Sequence, residues 1–199
     1  MGHRFGEIAF TDTVKQIQEQ MGSRGAYAQR EGGEAMNVAL SPREAAFIGA
    51  RDSFYMGSVG ETGWPYVQHR GGPAGFVRVL DEKTLGFADF RGNRQYVSVG
   101  NVTTDNRVSL FFMDYPNKAR LKIFGRARLI GAEDVETLAK LEVPDYRARV
   151  ERGFLIDVEA FDWNCPQHIT QRFTLAEVEA ATAPLRARIA ELEALAARS

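Results

Sequence analysis

From Phe54 onward, apolar and polar positions alternate in short runs broken by turn residues, which predicts strands rather than helices. The runs are Phe54 to Val59, Pro65 to His69, Phe76 to Leu80 and Thr84 to Ala88, separated by Gly60-Glu61-Thr62-Gly63, a glycine-rich link and Asp81-Glu82-Lys83. Such short connections make hairpins, not parallel crossovers. A short helix is predicted from Asn93 to about Val102, followed by strands Arg107 to Met113 and Arg120 to Ile130 around Tyr115-Pro116-Asn117-Lys118. In the second of these, Leu121, Ile123, Gly125, Ala127 and Leu129 share one face, while Lys122, Arg126 and Arg128 take the other. A helix over Ala132 to Leu141 precedes a last strand, Val150 to Phe161.

The ends of the chain read differently. Thr11 or Asp12 caps a helix carrying Val14, Ile17 and Met21 at helical spacing, and Gly22 to Gly33 is loop-like. Ser41-Pro42-Arg43-Glu44 starts a short helix with a capping box and proline in the first turn. Thr174-Leu175-Ala176-Glu177 is a second capping box, and Leu185, Ile189, Leu192 and Leu195 form an apolar stripe beyond Pro184. That stripe predicts packing against the chain's own barrel or a twin subunit. The expected organisation is an arm over residues 1–40, a domain over 41–173 and a helix over 174–199. With about six or seven strands and few helices, the fold class is mainly β with α appendages, an antiparallel barrel closed or nearly so.

Composition narrows the functions available. In 199 residues, 25 Lys and Arg stand against 26 Asp and Glu, so the net charge of −1 offers no general attraction to nucleic acid or an anionic membrane. Any positive potential must be local. The single cysteine, Cys165, excludes an intrachain disulfide and fits a reducing compartment. No signal peptide and no run of about 20 apolar residues is seen, so a cytoplasmic protein is expected. His3, His69 and His168 are scattered without ligand spacing, so no protein-only metal centre is expected, and Ser58 and Ser98 do not complete a nucleophile elbow. Phosphate-loop and dinucleotide fingerprints are also missing.

Three segments carry candidate chemistry. Asp89-Phe90-Arg91-Gly92-Asn93-Arg94-Gln95 puts two guanidiniums, a glycine and two amides between a strand and a helix start. It reads either as a solvated basic turn or as a phosphate site, where helix N–H groups and arginine forks bind oxyanions. Gln68-His69-Arg70 ends a strand beside Gly71-Gly72-Pro73-Ala74-Gly75, either a mobile loop with polar tips or a ledge that a flat ligand approaches closely. Trp163-Asn164-Cys165 follows the last strand. There Trp163 also fits a core or interface aromatic, and Cys165 has no basic neighbour that would make it a nucleophile.

Together these residues resemble the pyridoxamine 5′-phosphate oxidase-like superfamily of FMN-binding split barrels, over about Ser41 to Phe173. The hairpin order, the Pro65-to-Arg70 strand, the strand–DFRGNRQ–helix unit and the Arg120-to-Gly125 strand carry the resemblance. It is nearest to a branch with an Asn-Cys-Pro motif, here Asn164-Cys165-Pro166. The resemblance implies a six- or seven-stranded split barrel and a homodimer with FMN at the subunit interface. It implies that Arg91, Asn93, Arg94 and Gln95 hold the phosphate, with Asp89, Phe90 and Gly92 in the same cofactor-binding turn, and that Gln68, His69 and Arg70 line the ring edge and ribityl chain. Arg120, Trp163, Asn164 and Cys165 would contribute from the partner. No Arg-Leu-His-Asp-Arg motif occurs, and Gly92-Asn93-Arg94 replaces the usual Ser-Arg-Lys, so vitamin B6 oxidation is not implied. The implied function is a flavin-dependent oxidoreductase acting on a small molecule, with NAD(P)H as a possible donor and no residue assigned as catalytic. The alternative is a non-catalytic flavin or haem binder on the same barrel.

Overall fold

The computed structural model describes residues 2–29, 31–163 and 165–198. The chain divides into two compact units, Met1–Met113 with Arg120–Cys165, and Asp114–Ala119 with Pro166–Ser199.

The first unit begins with β1 (Gly2–His3), α1 (Arg4–Ala9), α2 (Asp12–Gln20), α3 (Arg24–Ala28) and β2 (Ala35–Met36). β1 pairs in parallel with β2, joining the two ends of this arm. Thr11 caps α2 as the sequence predicts, its hydroxyl accepting from Val14 N–H. The prediction misses α1 and α3, which are too short to show a periodic stripe. Phe5 of α1 is buried and stacks on Phe124 with ring centroids 4.3 Å apart, which docks the arm on the sheet. The capping box at Ser41 then opens α4 (Pro42–Gly49).

The strands that follow are β3 (Ser53–Val59), β4 (Pro65–Gly71), β5 (Val77–Val79), β6 (Thr84–Phe90), β7 (Arg107–Asp114), β8 (Ala119–Ile130) and β9 (Val150–Trp163). They form one seven-stranded antiparallel sheet in the order β4-β3-β7-β8-β9-β6-β5. Two helices interrupt them, α5 (Val97–Thr104) and α6 (Val135–Leu141). The sheet curls into a half-barrel because its two ends share one core. Phe54 of β3 meets Phe87 of β6 at 5.2 Å, and Phe87 stacks on Phe154 of β9 at 5.0 Å. Phe76, between β4 and β5, and Phe112 of β7 complete this fully buried aromatic cluster. β6 is buried on both faces, since Leu141 of α6 covers Ala88 and Leu155 on the outside.

β8 and β9 pair along most of their length, with an irregularity between Phe124 and Gly125. A Cβ at Gly125 would lie 2.8 Å from the Asp157 carbonyl oxygen and 2.6 Å from Ile156 Cγ2. The backbone oxygen cannot yield, so Gly125→Ala is expected to cost about 1–3 kcal/mol, read as a lower urea midpoint at unchanged slope.

The second unit holds α7 (Leu175–Ala196), opened by the capping box at Thr174 and Glu177. Pro184 lies inside α7, and the helix continues through it. Among the described residues, no helix is long and apolar enough to cross a membrane.

Candidate functional site

The alternation of β4 sorts its candidate residues. Tyr66, Gln68 and Arg70 are half-buried on one face, whereas Val67 and His69 are exposed on the other. Gln68 and Arg70 therefore turn toward the end of β6 and the following turn, while His69 lies against the Tyr55 ring at 5.6 Å. Gln68 is held by the Ser98 hydroxyl, which donates to its Oε1 at 2.7 Å and leaves the side-chain NH2 as a donor.

Arg70 crosses the opening of the curled sheet to Asp89 of β6, donating from Nη1 to its carboxylate. Both side chains are buried, 12% and 8% exposed. The Arg70 guanidinium also lies over Phe154 at 5.0 Å and Phe87 at 5.5 Å. Arg152 Nε stands 3.4 Å from the other Asp89 oxygen. Arg70 Nε is buried and has no hydrogen-bond partner. A buried donor of this kind is costly unless something fills it.

The turn between β6 and α5 is built on unusual backbone. Arg94 and Tyr96 have φ of 61° and 55°, in the left-handed region that non-glycine residues seldom enter. Asn93 Oδ1 accepts from the Gln95 N–H at 3.2 Å, closing the turn. Tyr96 stands at the N-cap of α5, and no side chain caps that helix. The predicted helix start at Asn93 is thus displaced to Val97, because residues 94 and 96 leave the right-handed region. With no side-chain cap, the first backbone N–H groups of α5 are left for another acceptor, an arrangement that suits an anion.

Charged side chains close the wall. Arg94 Nε donates to the Tyr96 hydroxyl at 3.0 Å, a bond that raises the Arg94 pKa further above its ordinary value. The Tyr96 hydroxyl donates to Glu151 Oε1 at 3.3 Å. Arg152 Nη2 donates to Glu151 Oε2 at 3.3 Å, and Arg91 Nε lies 3.7 Å from Oε1. Glu151 therefore serves as the counter-ion of the basic turn. Asp89 pairs with Arg152 and Phe90 with Val150, and the ladder shifts between Asp89 and Phe90, at the level of Glu151. Glu151, Arg152, Tyr96 and Ser98 are absent from the sequence-based candidates because only the β6–β9 register brings the first two to the turn.

These groups enclose a cleft of about 220 Å³. Gln68, Arg70, Asp89, Phe90, Gly92, Asn93, Arg94 and Gln95 all line it, with Ser98 and Glu151. Arg91 reaches Glu151 from outside the lining, and His69 and Arg120 do not line it. Arg120 Nε is buried without a hydrogen-bond partner elsewhere on the sheet.

Trp163 sits apart, against α4. Its Nε1 donates to Glu44 Oε1 at 2.7 Å, its ring meets Phe47 edge-on at 4.7 Å, and the Arg43 guanidinium lies 4.5 Å above it. Burial alone would raise the Glu44 pKa, but hydrogen bonds from the Ser41 hydroxyl, the Trp163 indole and the Ser41 N–H outweigh it and lower the pKa. Trp163 and exposed Cys165 line a separate cavity of about 370 Å³ with Phe5, Lys122 and Asp162. Asn164 lies outside the described residues.

The profile of the pyridoxamine 5′-phosphate oxidase family matches residues 40–163. No curated protein matches the chain. Among solved structures it is similar to a putative pyridoxamine 5′-phosphate oxidase from Lactobacillus delbrueckii, at 16% identity and a TM-score of 0.49, over 64% of this chain and 96% of that one. A conserved hypothetical protein from Mycobacterium tuberculosis is similar at 14% identity and a TM-score of 0.48, over 72% and 97%. A protein related to general stress protein 26 from Clostridium acetobutylicum is similar at 16% identity and a TM-score of 0.45, over 68% and 94%.

Proposed function

The chain belongs to the pyridoxamine 5′-phosphate oxidase family, and from that premise we propose that it is an FMN-binding flavoprotein, an oxidoreductase acting on a small molecule. The observation that carries this reading is the cleft itself. Its left-handed turn at Arg94 and Tyr96, the uncapped start of α5 and the lining arginines Arg70 and Arg94 leave donors for a phosphate monoester.

Arg94, Asn93 and Gln95 would hold the phosphate, and the Gln68 side-chain NH2, fixed by Ser98, would donate toward the ribityl chain or ring edge. When bound, FMN supplies the electron transfer that side chains cannot. Arg70 and Asp89 keep the cleft floor rigid and shielded from water. Trp163 and Cys165 line another cavity of the same subunit, so any contact they make with this flavin comes from a second copy.

A homodimer fits the outer sheet face, where Tyr55, Val59 and Val67 are exposed. Val59 and Val67, with Gly57, line a groove of about 610 Å³. An exposed apolar face of this kind is a candidate for subunit contact.

The test is an absorbance spectrum of freshly purified protein, then titration with FMN and riboflavin. FMN is expected to bind at least about tenfold more tightly than riboflavin, one charge-assisted phosphate contact being worth that much. Protein that carries no flavin absorbance and binds no added FMN overturns the reading. Turnover of NADH or NADPH with an artificial acceptor then separates an oxidoreductase from a protein that only carries flavin.

A further inference from the structure

The cleft is smaller than the cofactor proposed for it. At about 220 Å³ it falls below the roughly 300–1,000 Å³ of pockets that bury most of a ligand, so the phosphate end is enclosed and the three-ring isoalloxazine projects beyond it. One end of the cleft is shut, because the buried Arg70–Asp89 pair crosses there from β4 to β6 with Arg152 beside Asp89. The β4 wall runs the other way, from Arg70 through Gln68 to Tyr66, and all three line the cleft. The ring therefore leaves past Tyr66, toward the β3–β4 hairpin.

Trp64 is the next residue on that face. Gly60 N–H donates to the Trp64 carbonyl at 3.1 Å, so the ladder continues beyond the Val59–Pro65 pair to Gly60 opposite Trp64. Gly63, at φ 80°, takes the left-handed position that a bulged hairpin of this kind requires. Opposite residues of an antiparallel ladder share a face, and the face alternates along each strand. Trp64 thus falls on the side of Tyr66, Gln68 and Arg70, away from Val67 and His69. α5, which forms another wall of the cleft through Val97 and Ser98, reaches the same end of the hairpin. Its Asn101 donates to the Ser58 hydroxyl at 3.0 Å, and a Cβ on Gly60 would lie 3.3 Å from the Asn101 carboxamide oxygen. The Trp64 side chain is 77% exposed, and among the described residues its indole makes no hydrogen bond and no ring contact. Val97 is exposed as well. Apolar groups left in water beside an otherwise polar cleft suit a flat ring.

We propose that Trp64 positions the isoalloxazine ring, its indole stacking on the ring where this emerges from the cleft past Tyr66. The proposal rests on the flavin reading and adds to it the group that fixes the ring, which the phosphate turn at the other end of the molecule does not do. Stacking acts on the ring whatever its side chain carries, so Trp64 selects a planar aromatic system while Arg94 selects the phosphate.

Titration of the full-length protein with FMN and with riboflavin tests it, in wild type, Trp64→Ala and Trp64→Phe. Trp64→Ala is expected to weaken both ligands by the same factor, about three- to tenfold, the range for a lost aromatic stack, and Trp64→Phe to recover most of that. Emission of the bound flavin reads the contact itself, since an indole against the ring quenches the excited flavin by electron transfer. Bound FMN is expected to be dim in wild type and brighter in both variants, so that Trp64→Phe restores affinity without restoring the quenching. Unchanged affinity and emission in Trp64→Ala overturn the inference, and so does a loss confined to FMN. A Trp64→Ala protein that sediments as a smaller species while its bound flavin stays as dim as in wild type also overturns it, marking the indole as a subunit contact. Wild-type protein that takes up no FMN at all fails the flavin reading instead, and the wild-type titration tells the two failures apart.

Discussion

Removing the Asp89 carboxylate is expected to destabilise the protein by about 3–5 kcal/mol, because it strands a buried guanidinium. Arg70 and Asp89 are 12% and 8% exposed, and the Arg70 guanidinium that pairs with Asp89 also lies over the rings of Phe87 and Phe154. Asp89→Ala leaves that cation in an apolar setting with Arg152 beside it and no anion between the two. Urea unfolding without flavin measures the loss, and a shift below about 1 kcal/mol would show that water reaches the pair freely. If Asp89→Ala does not fold, Arg70→Met with Asp89→Leu decides the question. That double variant is expected to recover most of the stability, since an apolar pair of similar volume often replaces a buried ion pair at little cost. It would also lose the Arg70 donors at the cleft, so stability would return without ligand binding.

Much of this arrangement was legible in the chain because its signals are local. The capping boxes at Ser41 and Thr174 form as read, and the alternation of Leu121, Ile123 and Ala127 places each on the buried face of β8. The period-two rule could also have separated His69 from Gln68 and Arg70, which share the other face of β4. Glu151 and Arg152 were not legible. They lie in an ordinary strand, and nothing local marks them as partners of a turn about 60 residues earlier; only the antiparallel register of β6 on β9 does. The left-handed residues were equally hidden, because Arg94 and Tyr96 carry neither the glycine nor the asparagine that usually announces such backbone. The helix start was therefore placed at Asn93 instead of Val97.

The Glu151 counter-ion leads to a second pair of expected results, opposite in sign. Arg94→Ala should weaken FMN binding by about ten- to a hundredfold, the range for a charge-assisted hydrogen bond to phosphate. Glu151→Gln should strengthen it about two- to fivefold, because a carboxylate that now holds Arg91, Arg152 and the Tyr96 hydroxyl competes with the incoming phosphate for the same groups. Fluorescence titration at low ionic strength measures both, and the gain at Glu151 should shrink with added salt as the charges are screened. Riboflavin separates electrostatics from shape: lacking phosphate, it should be nearly indifferent to either substitution. Weaker FMN binding in Glu151→Gln would mean that Glu151 chiefly positions Tyr96 and Arg94 for the ligand instead of opposing it. Unchanged FMN binding in Arg94→Ala would remove this turn as the phosphate anchor, since Arg94 is the cation that its own backbone holds in the cleft.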